Sequence, residues 1–420
     1  LVAELSEQGI EKTTFTGFVE FAHQSGKIIG LLHENASIEK LECGSEGAMI
    51  VDVTPFYGES GGQVGDRGEA CTDNGHAMVS DTQRLPGGLV VHSVDVKSGE
   101  LSIGDKVNLE IDTERRGNTA RNHTATHLLH AALRDRLGEH VRQAGSMVAP
   151  DHLRFDFSHF EPVDADQLAE LERDVNEVIR ADITMEVSEM SHREAIEQGA
   201  LAFFGDKYGD VVRVVNVPGI SRELCGGTHV VRTGEIGPFM IIKEESVAAG
   251  TRRIEAITGA AAVESLQQQR SRFRQVTASL KTSEEDAPDS VERLLLRLKE
   301  VERGNEDLRL RLASHETSTD LEDYEVEVEG IRLVRREVAD LDAGGLRSLA
   351  DSMKKEIGSG IIVLGTRNDD GAQIVVGVTA DLSKRIKAGD IVSSLAKLVG
   401  GGGGGKAEMA QAGGPDGSKL

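Results

Sequence analysis

Two short segments about 100 residues apart place the tightest demand on how this chain can fold. The first is His123-x-x-x-His127, inside a stretch with helical spacing that runs from His123 to Leu137, with Asn122 as its expected N-cap. The second is Cys225-x-x-x-His229, with Gly226 and Gly227 between its ends. Histidines at i and i+4 share one face of a helix and can bite one ion. The glycines let a tight loop turn Cys225 and His229 inward. Zinc accepts imidazole and thiolate together, so His123, His127, Cys225 and His229 form a candidate ligand set for one Zn2+. A fold that satisfies this set must bring the helix and the loop together. His130, about one turn further along the same face, is a rival ligand. A closed four-ligand set is structural by default, whereas a catalytic zinc needs an open or displaceable position; spacing does not choose between them.

Composition bounds the rest. With 420 residues the chain exceeds what one core usually serves, so two to four domains are expected. Aromatics make up 3% and there is no Trp, which argues against a single-strand binder built on stacking. The net charge of −24 excludes a uniformly basic polyanion binder, so any nucleic-acid contact must be a local patch. No run of about 18 apolar residues exists, so no membrane span is expected. The first residues lack a basic, then apolar, signal pattern, and three scattered cysteines (Cys43, Cys71, Cys225) form no disulfide framework. Both point to a cytoplasmic protein. The start at Leu1, without an initiator Met, leads us to expect a piece of something longer.

Along the chain, residues 14–112 read as short strands with glycine turns, expected over Thr16–Phe21, Lys27–His33, Ala48–Val53, Leu89–Val94 and Val107–Ile111. A helix is expected over Ala165–Arg180 and strands over Val211–Val217 and Phe239–Lys243. Two helices follow whose apolar positions keep heptad spacing. Ala262, Leu266, Gln269, Phe273, Val276 and Leu280 mark the first seam, while Val291, Leu294, Leu298, Val301, Asn305, Leu308 and Leu312 mark the second, with Asn305 as a polar member and Asp289 or Ser290 as its N-cap. Short seams of this kind usually close within one chain; a dimerising coil is the alternative. Toward the end, Asn368-Asp369-Asp370-Gly371 reads as a hairpin turn and Gly400–Gly405 as a flexible linker. The fold class is therefore α+β multidomain: a small β-barrel-like domain (1–115), a mixed α+β domain (116–259), a helical hairpin (260–315) and a C-terminal α/β domain (316–420).

Several stretches resemble a known family. RNHTATHLLHAALR (from Arg121), VRQAGSMVAPDHLRFDFSH (from Val141), ELCGGTHVVRTGEIGPF (from Glu223) and AAGTRRIEAITG (from Ala248) resemble the editing domain of the alanyl-tRNA synthetase family. TPFYGESGGQVGDRG (from Thr54) resembles the loop of the β-domain that precedes it, and the glycine-rich end AQAGG resembles the DHHA1-type C-terminal domain. Free-standing AlaX-type editing proteins share both metal motifs. The resemblance implies hydrolysis of alanine tRNA, tRNA(Ala), mischarged with serine or glycine. It implies zinc on His123, His127, Cys225 and His229, and Gln143 beside the substrate amino acid. Thr124 would lie against the metal, within reach of a serine hydroxyl. Gly61, Gly62 and Gln63 are candidates for touching the tRNA 3′ end or the catalytic pocket, and Arg252 and Arg253 for holding phosphates. It also gives the glycine run a second reading, as a loop whose N–H groups approach RNA. A homodimer through the helical hairpin or the C-terminal domain is a further expectation. Nothing in these residues resembles class II synthetase motifs or an ATP site, so aminoacylation is not expected of them. The competing readings are a free-standing trans-editing enzyme and a non-catalytic tRNA-binding module with a structural zinc.

Overall fold

Alternation of apolar and polar residues builds the first layer of structure. The computed structural model describes residues 12–34, 36–202, 209–315, 324–339, 341–368 and 371–420. Six strands, β1 (Ala22–His33), β2 (Glu46–Val51), β3 (Gly68–Cys71), β4 (Gly75–Arg84), β5 (Val90–Ser102) and β6 (Lys106–Ile111), lie in the order β6-β3-β4-β5-β2-β1. Strand β1 pairs back onto β6 and closes a barrel. In β6, Val107, Leu109 and Ile111 point inward while Lys106, Asn108 and Glu110 face water. They meet Ile28, Met49, Val79, Val94 and Leu101 in one core, each burial contributing about 1.5–3 kcal/mol. Two expectations shift. The segment 16–21 is not a strand; pairing there is confined to Thr14–Phe15. Strands β3 and β4 carry too few apolar residues to be read from sequence, and they form because each has a neighbour on both sides.

Helix α1 (Thr113–Leu137) starts well before Asn122. Asp112 is its N-cap, accepting from Arg115 N at 2.9 Å. Asn122 is interior: its amide donates to the carbonyl of Ala149 (2.7 Å) and accepts from the Thr258 hydroxyl (2.7 Å). A polar residue that favours caps is thus held mid-helix by tertiary partners. The hairpin β7 (Gln143–Val148) and β8 (Leu153–Ser158) leads to α2 (Ala165–Arg180), which has a capping box from Asp164 and Gln167. Strands β9 (Glu186–Ser191), β10 (Val211–Val217) and β11 (Ser221–Leu224) make a three-stranded sheet, while β12 (Phe239–Ala248) and β13 (Thr251–Thr258) extend β7 and β8 in the order β7-β8-β13-β12. Helices α1 and α2 cover the four-stranded sheet with Leu128, Leu129, Leu133, Leu171 and Val175 against Phe155, Phe157 and Ile254.

The chain divides into two units, Leu1–Arg272 and Phe273–Leu420, with α3 (Gly259–Leu280) running across the boundary. In the second unit α4 (Ala287–His315) begins ahead of Asp289, and Pro288 sits in the first turn, where its missing N–H costs nothing. Val291, Leu294, Leu298, Val301 and Leu308 are 41–61% exposed, so among the described residues the seam of α4 is left open. A mixed sheet follows, formed by β14 (Tyr324–Val328), β15 (Ile331–Glu337), β16 (Ile361–Asn368), β17 (Gly371–Val378), β18 (Gly402–Gly405) and β19 (Met409–Gly414) in the order β14-β15-β16-β17-β19-β18. Helix α5 (Ala343–Ile357) packs with Ile362, Leu364 and Val375; α6 (Ala388–Leu398) packs with Val376, Ala410 and Ala412. Strands β16 and β17 pair as a hairpin, and Asp369 and Asp370 of its turn lie outside the described residues.

The glycine run is a correction: Gly402–Gly405 is an edge strand on β19, not a linker or a loop. A Cβ on Gly403 would sit 2.5 Å from Ala412 Cβ and 2.7 Å from Val392 Cγ1, and one on Gly405 2.5 Å from Ala410 Cα, so these two positions lie too close to their neighbours for side chains, whereas Cβ atoms on Gly402 and Gly404 would meet nothing within 4 Å. Among the described residues no helix is long and apolar enough to cross a membrane.

In the barrel, fully buried His92 donates from Nδ1 to the Met49 carbonyl (3.2 Å) and accepts at Nε2 from the Thr54 hydroxyl (2.8 Å). Burial pushes its pKa down to about 4. Between about pH 6.5 and 4 the unfolded chain binds a proton that the folded chain refuses. Stability must therefore fall as pH falls through that window, by about 3 kcal/mol from this group. Urea unfolding at pH 7 and pH 4 should show a correspondingly smaller loss for His92→Gln.

Candidate metal centre

Position decides the first half of the site. On α1, His123 and His127 stack with ring centroids 5.3 Å apart. The loop after β11 brings His229 to 4.5 Å from the first ring and 5.0 Å from the second. Cys225 Sγ lies 3.4 Å from His123 Nε2 and 3.3 Å from His229 Nε2. Among the described residues these four donors lie within 4.8 Å of one another. Arg213 of β10 braces the loop by donating to the carbonyls of Cys225 (2.9 Å) and Gly227 (2.8 Å).

Two of the rings are oriented from behind by groups that sequence reasoning did not single out for this task. Glu223, only 2% exposed, accepts from Nδ1 of His127 (2.5 Å) and of His130 (3.1 Å), and from the Ser221 hydroxyl (2.8 Å). A carboxylate only accepts here, so Nδ1 of His127 keeps its proton, and loss of the ring's other proton to a metal leaves the lone pair on Nε2. That Nε2 is buried with no hydrogen-bond partner. Thr124 donates its hydroxyl proton to the Ala120 carbonyl (2.9 Å), so His229 Nδ1, 3.2 Å from the same oxygen, is the donor to it. His229 Nε2 is then free to coordinate.

The electrostatics agree with a cation site. Burial opposes the thiolate of Cys225, yet the three imidazoles outweigh it and hold the thiol well below its usual range. Burial also opposes charge on His127, but Glu223 and Cys225 push its pKa up to about 10. Burial drives His229 down to about 3, against the pull of Cys225. Two anions, the Glu223 carboxylate and the Cys225 thiolate, thus face one imidazolium, a set that a divalent ion can satisfy when it replaces the proton. The orphaned Nε2 of His127 fits zinc, and so does a donor set of three imidazole nitrogens and one thiolate sulfur.

The metal group opens onto a cavity of about 580 Å3 within the first unit. Gln143 and Ser146 of β7 line it, together with Tyr57, Gly61, Gly62 and Arg84 of the barrel. Thr126 lines it, whereas Thr124 lies behind His229 with its hydroxyl engaged. Gln63 is 0% exposed and its amide meets His123 and Thr228 rather than the cavity. Arg252 and Arg253 each spend their guanidinium fork on a carboxylate, of Glu244 (2.5 and 2.6 Å) and Asp156 (2.6 and 2.8 Å). Rival ligand His130 is tied to Glu223 and does not join the group of four.

Residues 2–115 match the domain family described as tRNA synthetases class II (A). Residues 212–255 match the threonyl and alanyl tRNA synthetase second additional domain, and residues 330–420 the DHHA1 domain. Over 96% of its length the chain is 46% identical to an alanine–tRNA ligase of Idiomarina loihiensis, and over 99% it is 45% identical to one of Desulfosudis oleivorans. The chain belongs to the alanyl-tRNA synthetase family. It spans about half the length of these curated relatives, 46% and 47% respectively. The solved C-Ala domain from Aquifex aeolicus alanyl-tRNA synthetase aligns with 23% of this chain and 87% of its own at 28% identity, with a TM-score of 0.23.

In this member of the synthetase family the two loop glycines differ in what surrounds them. A Cβ on Gly227 would lie 2.0 Å from His123 Cε1 and 2.8 Å from Gln63 Oε1, while one on Gly226 meets nothing within 4 Å. Gly227→Ala should therefore cost about 1–3 kcal/mol in urea unfolding and weaken zinc retention in a chelator competition; Gly226→Ala should change neither appreciably.

Proposed function

We propose that this chain holds one zinc ion on His123, His127, Cys225 and His229. Beside that ion it hydrolyses the ester linking a wrong amino acid, serine or glycine, to tRNA(Ala). The reading extends to a role within an alanine–tRNA ligase, with residues 116–259 as the editing domain and the DHHA1 unit as a tRNA-binding part. One observation carries it: four donors from two distant segments converge, and three of them, His123, His127 and Cys225, line a cavity that residues of the barrel also line. When bound, zinc would polarise the ester or lower the pKa of a water toward neutral.

The remaining work falls to the chain's own groups. The Gln143 amide at the cavity wall can hydrogen-bond the amino acid. A pocket with polar groups aimed at a hydroxyl prefers serine, since alanine would leave them unpaired. Thr124 acts behind His229, and Thr126 is the threonine that faces the cavity. Arg84, exposed at the barrel-side wall, is the cation best placed to meet a phosphate of the acceptor end, because Arg252 and Arg253 are already paired. Dimerisation through the open seam of α4 is the matching proposal for the oligomeric state. The closed set of three nitrogens and one sulfur favours one second reading, a structural zinc in a tRNA-binding module, and the same assay separates the two.

With Ser-tRNA(Ala) as substrate, the chain should release serine well above the buffer rate. His127→Ala should cut that rate at least about 100-fold and lower bound zinc in parallel. Release equal to buffer with zinc fully bound would leave only the structural-zinc reading. Affinity for tRNA(Ala) should fall as salt rises, and Arg84→Ala should lower the slope of log K against log salt by about one.

A further inference from the structure

We propose that Gln63, in a barrel loop, is a positioning residue for the metal centre: it fixes the tautomer of His123 and so aims that ligand's lone pair at the ion. The inference rests on the zinc reading above and adds a third segment of chain to the site.

The backbone places the residue first. Gly61 and Gly62 take φ of +60° and +84°, a conformation that side chains rarely adopt. The carbonyl of Gly62 accepts from Val148 N (2.7 Å) and Val64 N donates to the Val148 carbonyl (3.1 Å), which seats the loop on the end of β7. Three residues beyond Gln63, Asp66 forms a buried ion pair with Arg116 of α1. Arg116 also donates to the carbonyls of Gly17 (2.6 Å) and Pro55 (2.9 Å). The loop is thus clamped to the helix that carries His123.

The side chain then has only one consistent assignment. Gln63 Oε1 lies 2.8 Å from Thr228 N, and a backbone N–H can only donate, so an oxygen must stand there. Gln63 Nε2 is left to donate to the Thr228 hydroxyl at 3.0 Å. His123 Nδ1 lies 2.8 Å from the same Oε1 and must therefore carry the proton. The lone pair falls on Nε2, the atom 3.4 Å from Cys225 Sγ and turned toward the other donors. With the oxygen gone, the other tautomer would aim an N–H at the ion. Gln63 also holds the N–H of Thr228, which sits between the ligands Cys225 and His229, so one amide acts on both halves of the set.

Three variants of the full chain test this: Gln63→Met removes the acceptor, Gln63→Glu keeps an oxygen at the same reach, and Gln63→Asn withdraws it by one methylene. Zinc affinity is read by competition with a chromogenic chelator, and ligand geometry by the absorption of the cobalt-loaded protein. We expect Gln63→Met and Gln63→Asn to weaken zinc about 10–100-fold and alter the cobalt spectrum, with Gln63→Glu within a few-fold of wild type in both. If Gln63→Met does not fold, Gln63→Asn carries the same expectation. Wild-type affinity and spectrum in Gln63→Met or Gln63→Asn would overturn the proposal. Equal loss in the Met and Glu variants would also overturn it, by showing that the residue only fills space. Failure of the wild-type chain itself to take up zinc would instead sink the metal reading.

Discussion

Three imidazoles, two of them buried and one half-buried, point their Nε2 lone pairs at one place when each Nδ1–H has an acceptor behind it. Much of the first unit can be read as the answer to that requirement. Glu223 stands behind His127, Thr124 behind His229 and Gln63 behind His123. The three acceptors come from a strand, from α1 itself and from a barrel loop. Each is buried, so each would be costly to leave unpaired, and together they turn coordination into a property of the packed unit.

The barrel therefore does more than precede the α+β layer. Its loop from Thr54 to Asp66 supplies a wall of the cavity, the Gln63 amide and the carboxylate that meets Arg116. A buried ion pair is weak evidence for net stability, because desolvation offsets the Coulomb gain. Here its use is geometric: Arg116 has no slack, with donors committed to Asp66, Gly17 and Pro55, so it holds loop and helix in one register. In the second unit the constraint is different. In the edge strand of glycines, Gly403 lets the chain close up on α6 and β19 and Gly405 on β19, which is a packing role rather than that of a flexible spacer.

What is legible in the sequence follows from local chemistry. Ala165–Arg180 reads as a helix because its apolar residues recur on one side, and the observed bounds are the same. Strand β6 reads from strict alternation. Asn122 reads as a cap because asparagine favours caps in isolation, while Asp112 with Glu114 in the first turn is the better signal. Strands β3 and β4 stay invisible because their pairing, not their composition, makes them strands. Glu223 is two residues before Cys225, and only its carboxylate next to a known metal-type pair could have flagged it.

By itself, the sequence determined which donors are available and that two of them share a helix face, since i and i+4 spacing and glycine freedom are properties of the local chain. It also determined the α+β class, because periodicity of 2 and of 3.6 survives without a partner. Only the tertiary structure decided which nitrogen of each histidine faces the site, that Gln63 is turned inward to His123, and that Arg252 and Arg253 are already paired. Those outcomes depend on groups that approach from 8 to 165 residues away in the chain, and no local pattern encodes a hydrogen bond whose other half lies that far off.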